Sequence, residues 1–537
     1  MKQIQRYWLP VMMAVLLSVV AATHRDYGIS WDEKAQSDYG QKALDYYSSG
    51  GADKSYLKMG NLKFYGPLFE MAAAMAYSAD EGNKYPVRHL LSAMMGVLAV
   101  AGAAAVAGMI NPGAGAFFAA LCLAMTPVFY GHWFINSKDI PFAALFTWTM
   151  YFVARIARPG GGGWRMALVG GLVMGLTAAV RPAGAPLMLM MMILAGAYRL
   201  LAPWLAGQEG ARESLVNVAR PMAAQMAVMG GLSLGILAMA WPWAHEGWLN
   251  VAGGIWEAMR FKVAYPTLYD GMVVMSHQLP STYILNYYLI TAPLASLILS
   301  MTGAGFGVIS IYRDPLSGQA HGLFLALAWF LAPVVFFMVA GANIYDGLRH
   351  FLFIMPAASI LAGYGASRVM ELAGPKRSVA AFVIMAAALA LPMIQMARLH
   401  PYQYTYFNLL AGGVGGANGK YETEYWATSY KEAMETIARD AAGRKGEPVR
   451  ILVAANNFSK ECAQRFAGPN MAVETTWEKF GKLVPPPELS GGDLPEGYDY
   501  YLATYRYGMA EAFPNARTLF TIGREGALFT VIKIPGR

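Results

Sequence analysis

"RHLLSAMMGVLAVAGAAAVAGMI" (residues 88–110) is followed, after Asn111-Pro112 alone, by a second apolar run, "GAGAFFAALCLAMTPVFYG" (113–131). A helix crosses the hydrocarbon core of a bilayer in about 20 residues, so the pair predicts two spans joined by a minimal turn. Similar runs lie near 7–23, 140–157, 165–180, 184–201, 222–243, 286–311, 322–341, 350–367 and 379–397. Hydropathy therefore predicts about eleven spans. Lipid offers no partners for bare backbone, so the spans must be helices.

The whole composition agrees with a polytopic α-helical membrane protein. The 537 residues are 56% hydrophobic and 14% charged, with a mean hydropathy of +0.36. The 57 Gly and 34 Met suit close helix packing and adaptable apolar surfaces. Cys122 and Cys462 are far apart and support neither a disulfide framework nor a thiolate metal site. The net charge of +8 falls largely in short loops between spans. There it sets orientation rather than marking a nucleic-acid partner, and none is expected.

With Lys2 and Arg6 on the cytoplasmic side, that side also receives 155–165 (Arg155, Arg158, Arg165), 199–220 (Arg199, Arg212, Arg220), Arg313 and 368–377 (Arg368, Lys376, Arg377). The opposite face receives 24–87, 131–139, 244–285, 342–349 and the tail from about 398. A cleaved signal peptide over 1–23 is the competing reading, but it would disturb this parity. The chain divides into a transmembrane part (1–400), a Gly/Tyr-rich connection (401–428) and a soluble α/β domain (429–537). In the last, 449–459 and 498–507 look like strands, 518–534 like a hairpin turning at Arg524-Glu525-Gly526, and 429–443 and 459–467 like helices. No internal repeat is evident.

The external loop "DYGISWDEKAQSDYG" (26–40) sets Asp32 and Glu33 at the membrane–water boundary just after the first span. Most acids of 24–87, Asp26 and Asp38 included, read as solvated. "LKFYGPLFEMAAAMAY" (62–77) carries Phe64, Leu68, Met71 and Met75 at helical spacing, as an amphipathic helix in the interface would, with Lys63 at its start; a helix packed on the bundle is the other reading. In "GHWFINSKDIPFAA" (131–144), Asp139 follows Lys138 and precedes Pro141. It can serve as a plain N-cap, yet its side and depth match those of Asp32. Arg88, Arg181 and Arg349 also fall at external span ends, where ionisable groups at membrane depth are functional candidates or snorkelling anchors.

Several of these features together resemble a known family. They are Asp32-Glu33, Tyr65-Gly66-Pro67-Leu68, Arg88, Lys138-Asp139-Ile140-Pro141, "WPW" (241–243), "DGLRHFLFIMP" (346–356) and "HPYQYTYFNLLAGGVGGANGKYETEYW" (400–426), the last similar to bacterial members. The pattern resembles glycosyltransferase family 39 of the C-type fold, which includes protein O-mannosyltransferases and lipid A aminoarabinose transferases. It covers residues 1 to about 430.

The resemblance implies inverting transfer of a monosaccharide from a polyprenyl-phosphate donor to an acceptor protein, lipid or glycan. The site would face the periplasm of a bacterial inner membrane, amid membrane lipids. Asp32 matches the catalytic acid, with Glu33 as its neighbour and Asp139 as the second acid. Arg349, Lys63, Arg88 and Lys138 are expected at the donor phosphate. Tyr65, His277, Tyr345, His350, Tyr406 and Glu422 are expected to line the substrates, with 400–426 closing over them. Lys63 and Glu70 of the first loop are separated, so these two do not form the adjacent Glu-Lys pair of the aminoarabinose transferases. No cofactor is assigned, and a divalent metal is left open. A transporter or lipid flippase is the alternative, which would require ionisable groups at mid-span and symmetric halves.

Overall fold

Among the described residues, nine helices are long and apolar enough to cross a membrane: Glu81–Ile110, Asp139–Ala157, Gly163–Val180, Pro182–Leu205, Asn217–Ala240, Leu294–Arg313, Gly318–Val339, Arg349–Ala373 and Ser378–Leu399. The structure, a computed structural model, describes residues 2–536 except 79, 209–210, 248, 261–263, 341–342, 444–447 and 486, and leaves out the side chains of 2–6, 211–216 and 340. Lys2, Arg6 and Arg212, used above for orientation, thus lie outside the described side chains.

Among the described residues the expected eleven spans become nine or ten. The second run of the opening hairpin is bent by 61° between Ala114–Ala124 and Pro127–Ile135. Pro127 has no N–H to give to the preceding turn, so the helix restarts there. The first helix runs Lys2–Thr23, but its described side chains begin at Tyr7, so it is not counted among the nine. The predicted 286–311 run is also divided, into Tyr283–Thr291 and Leu294–Arg313 around Ala292-Pro293.

Helices α1 (Lys2–Thr23), α2 (Trp31–Ser48), α3 (Leu68–Tyr77), α4 (Lys84–Ile110), α5 (Ala114–Ala124), α6 (Pro127–Ile135), α7 (Asp139–Ala157) and α8 (Gly163–Val180) build the half of the protein that carries the acidic loop. Small residues set the approach of the helices. A Cβ on Gly303 would stand 1.8 Å from the Leu361 carbonyl oxygen, and one on Gly363 2.2 Å from that of Gly115. Contact this close is the packing route left to helices in lipid, where burial of apolar surface drives nothing.

The extent of the helix predicted over 62–77 is corrected. Residues 60–64 form a 3-10 turn, Gly66-Pro67 break the chain, and only α3 is α-helical. Glu70, Ala73, Ala74 and Tyr77 are buried, while Met75 is exposed. The face holding Glu70 packs on α2 and α4, because Glu70 must meet a buried cation.

The tail carries strands β3 (Val449–Val453), β4 (Met471–Thr475), β5 (Tyr500–Thr504), β6 (Arg517–Arg524) and β7 (Ala527–Ile534), after a small hairpin of β1 (Pro266–Tyr269) and β2 (Met272–Met275) in an earlier loop. The sheet order is β4-β3-β5-β7-β6. β3 is parallel to β4 and β5, and β7 is antiparallel to β5 and β6. The β6–β7 turn falls at Glu525-Gly526, both at positive φ, as a two-residue hairpin turn requires. β4 is an element the hydropathy pattern did not predict. The helix Tyr430–Asp440 covers the sheet through Tyr430, Ala433, Met434 and Ile437.

This sheet is not a pendant. Its apolar core runs on into Ile29 and Tyr85 of the acidic loop region. The Trp31 amide donates to the Trp426 carbonyl at 3.1 Å. Gly28 lies so close to Thr428 that a Cβ would stand 1.9 Å from its carbonyl oxygen.

Candidate functional site

Asp32 lies in the first turn of α2, a third exposed, with its Oδ2 accepting from Lys138 Nζ at 2.5 Å and from Arg349 Nη1 at 2.9 Å. Three distant pieces of sequence meet here: the start of α2, the turn before α7, and the start of the Arg349–Ala373 span. Burial pushes the Asp32 carboxyl up, but the Lys138 ammonium and the Arg349 guanidinium outweigh it and hold it well below the usual carboxylate range.

Arg349 is 4% exposed. Its guanidinium lies 4.8 Å from the Tyr345 ring and 5.3 Å from the Trp426 ring, and Nη2 pairs with Asp346 at 3.2 Å. Asp346 also pairs with Arg506 at 2.5 Å, and Arg506 reaches Glu422 at 3.5 Å. Asp346 and Gly347 both take positive φ, and the Gly347 amide donates to Tyr283 Oη at 3.0 Å. Burial raises the Glu422 carboxyl, with Arg506 and the Leu268 amide opposing it.

Asp139 opens α7 as its first helical residue rather than as the N-cap, where its charge also suits the helix dipole. It exchanges two hydrogen bonds of 3.0 Å with Asn136 and pairs with Arg181. Arg181 in turn shares a small cavity with Phe64 and Tyr65. Asp139 is 2% exposed, so it stands under the site rather than open to it.

Glu33 and Arg88 face away from Asp32. Glu33 accepts from the Ser30 amide at 2.8 Å, the reciprocal arm of a capping box, and meets His89 Nε2 at 3.1 Å. Arg88 has no exposed side-chain surface and pairs with Glu70 at 2.6 Å, while Glu70 accepts from Ser137 Oγ at 2.5 Å. Both were expected at the reaction centre. They instead form a buried ionic layer beneath α2 and the Asn136–Lys138 turn, because their helical faces point into the bundle.

The remaining expected residues divide. Tyr345 and Glu422 join the network around Arg349. His350 sets its edge on Tyr345 at 5.0 Å. The Tyr65 carbonyl accepts from Tyr39 Oη at 2.8 Å. The Lys63 ammonium lies 5.2 Å from both Phe64 and Trp243, and its carbonyl accepts from Trp241 Nε1, so the "WPW" motif seats this loop. His277 is exposed and lines a separate cavity of about 120 Å³ with Tyr283, Phe337 and Met338. Tyr406 is buried in the apolar core. The 400–426 segment reaches the site only at its end, through Glu422, Tyr425 and Trp426; earlier it is tied to the bundle, with Asn408 Nδ2 donating to the Leu289 and Ala292 carbonyls at 2.7 Å. Among the described residues no three His, Cys, Asp or Glu side chains converge as metal ligands. Asp32, Asp139 and Asp346 each face Lys or Arg.

Sequence reasoning missed Arg506, Asp346 and Trp426. Arg506 lies outside every motif, and nothing in its local sequence distinguishes it from a surface arginine. Asp346 was visible only as part of "DGLRHF", and Trp426 only as the last aromatic of a Gly-rich stretch.

No curated protein matches the chain by sequence. An archaeal oligosaccharyltransferase, AglB from Archaeoglobus fulgidus in complex with an inhibitory peptide and a dolichol-phosphate, is 13% identical with a TM-score of 0.51, covering 99% of this chain and 76% of its own. ArnT from Cupriavidus metallidurans bound to undecaprenyl phosphate is 14% identical with a TM-score of 0.49, covering 98% of each chain. The AglB likeness establishes the fold, that of membrane-embedded glycosyltransferases. Residues 67–209, which include Arg88, Lys138, Asp139 and Arg181, match the model of the dolichyl-phosphate-mannose-protein mannosyltransferase family, itself a glycosyltransferase family.

Proposed function

We propose that the chain moves a monosaccharide from a polyprenyl-phosphate donor to an acceptor on the non-cytoplasmic face of the membrane, by single displacement with inversion. The carrying observation is the Asp32 carboxylate, partly open to solvent, clamped by Lys138 and Arg349 at the ends of the spans. Arg88, Asp139 and Arg349 all begin spans and Arg181 ends one, so the charge gathers at one membrane face rather than along a transport pathway. The family matched by residues 67–209 acts on dolichyl-phosphate-mannose, and the AglB structure of the same fold holds a dolichol-phosphate.

In this reading the donor phosphate competes with Asp32 for Arg349 and Lys138. As the cations turn to phosphate, the Asp32 carboxylate loses the partners that weaken it as a base. It then takes the proton of the acceptor hydroxyl while that oxygen bonds to the anomeric carbon. The bond from that carbon to the phosphate oxygen breaks, and its electron pair leaves with the polyprenyl phosphate. Arg349 and Lys138 stabilise the charge gathering on that leaving group. Asp139 keeps Arg181 beside the Tyr65 turn. No step is assigned to a metal.

The test is transfer of labelled sugar from a polyprenyl-phosphate donor by purified parent and Asp32→Asn. A general base contributes about 10²–10⁴-fold, and a loss of that size is expected. A folded Asp32→Asn protein that transfers at the parent rate overturns the assignment. Mass spectrometry of envelope lipids, glycans and proteins with and without the chain then identifies sugar and acceptor through a shift of one sugar unit.

A further inference from the structure

We infer that Arg506, supplied by the C-terminal sheet domain, is a positioning residue of the reaction centre: it holds Asp346, and through Asp346 it fixes the guanidinium of Arg349. The inference rests on the function proposed above. Arg506 lies two residues past the end of β5, at the carboxyl ends of the parallel strands β3 and β5, the edge of open α/β sheets where ligand sites collect. Here that edge faces the membrane domain.

The side chain is 2% exposed, and two of its nitrogens donate hydrogen bonds while the third faces a carboxylate. Nη2 donates to Asp346 Oδ1 at 2.5 Å, Nη1 to the Tyr425 carbonyl at 2.8 Å, and Nε lies 3.5 Å from Glu422. The guanidinium plane is 5.2 Å from the Trp31 ring and 4.4 Å from the Tyr507 ring. Trp31 immediately precedes Asp32, and Tyr425 immediately precedes Trp426, which covers Arg349. Arg506 therefore touches the neighbours of both reacting-centre residues and the shared carboxylate of one of them.

The backbone is shaped for this contact. Tyr507 and Gly508 on one side, and Asp346 and Gly347 on the other, all take positive φ. Left-handed backbone at non-glycine residues persists where surroundings over-determine it, and it collects at functional sites. Two turns in that conformation meeting through one ion pair set the angle at which Asp346 presents its second oxygen to Arg349. A surface salt bridge between two domains would require neither the burial nor the paired turns.

The experiment compares parent, Arg506→Lys, Arg506→Gln, Asp346→Asn and the Arg506→Gln/Asp346→Asn double variant, all full length and purified in lipid nanodiscs. Sugar transfer from a labelled polyprenyl-phosphate donor is read as separate kcat and KM, and phenylglyoxal labelling of Arg349 is read by peptide mass. Arg506→Gln is expected to lower kcat about tenfold or more in the parent background but by less than about twofold beside Asp346→Asn, because its effect passes through Asp346. Arg506→Lys keeps the charge without the fork and is expected to fall between. In Arg506→Gln, Arg349 labels several-fold faster than in the parent.

Equal losses in both backgrounds, or Arg349 labelling unchanged in folded Arg506→Gln, overturn the inference. A parent that transfers no sugar overturns the proposed function alone, since the labelling ratio still decides the role of Arg506.

Discussion

Replacing Arg349 by Gln tests the site most directly. The guanidinium is almost wholly buried, and it divides its donors between Asp32 at 2.9 Å and Asp346 at 3.2 Å. Gln is shorter and uncharged, so both carboxylates lose a cation. Removing one partner of a buried ion pair typically costs about 3–5 kcal/mol. The low end applies here, since Asp32 is a third exposed and keeps Lys138, and Asp346 keeps Arg506. The catalytic loss is separate. A preorganised donor aimed at developing charge is worth about 10²–10³ in kcat, and a full positive charge against a leaving phosphate belongs at the upper end of that range. The assay is single-turnover transfer from a labelled polyprenyl-phosphate donor at saturating acceptor, alongside thermal unfolding in the same lipid. Arg349→Lys is expected to recover part of the rate, because it restores the charge but not the two-pronged geometry or the stacking between Tyr345 and Trp426. A folded Arg349→Gln protein with kcat within threefold of the parent would refute the reasoning.

Lys138→Met removes a cation that, after burial has raised the Asp32 carboxyl, holds it below the ordinary range. The stabilisation from ionised Asp32 is present above the ordinary carboxylate pKa and is lost as pH falls through the depressed folded value. The variant's acid limb in kcat/KM is therefore expected at higher pH than the parent's, and a pH profile that superimposes on the parent's sinks the clamp. Gly28→Ala places a methyl 1.9 Å from the Thr428 carbonyl oxygen; overpacking of this kind costs about 1–3 kcal/mol, so thermal unfolding should come earlier, and an unchanged midpoint would contradict the tight seam between the acidic loop and the 425–428 segment. Arg88→Met leaves Glu70 buried without its cation and should cost about 3–5 kcal/mol, while the Arg88→Met/Glu70→Gln pair should recover much of that in the same unfolding assay; a double variant no more stable than the single would show that Glu70 and Arg88 do not act as a pair.

Much of the site's membership was legible because its members sit beside span ends. Asp32, Lys138, Asp139 and Arg349 each border an apolar run, and a charge at that depth is visible by contrast. The direction each side chain takes was not visible. Asp32 and Glu33 are adjacent on a helix, so they must diverge by about 100°; the capping hydrogen bond to Ser30 turns Glu33 inward and leaves Asp32 at the opening. Arg88 and Arg349 carry the same charge at the same kind of position. One is neutralised by Glu70 in the bundle, and the other stacks between two rings beside Asp32.

The sequence by itself determined a helical membrane protein, the approximate number of its spans and a terminal α/β domain. These follow from local quantities: the length of each apolar run, its period and the basic residues at its ends. Only the tertiary structure decided which carboxylate is open, which cation each one meets, and that the terminal sheet supplies Arg506 to the ion pairs behind Arg349. Those outcomes depend on contacts between residues up to hundreds of positions apart, such as Asp32 with Arg349 and Asp346 with Arg506. A buried charge selects its partner by three-dimensional proximity, and no local pattern encodes that choice.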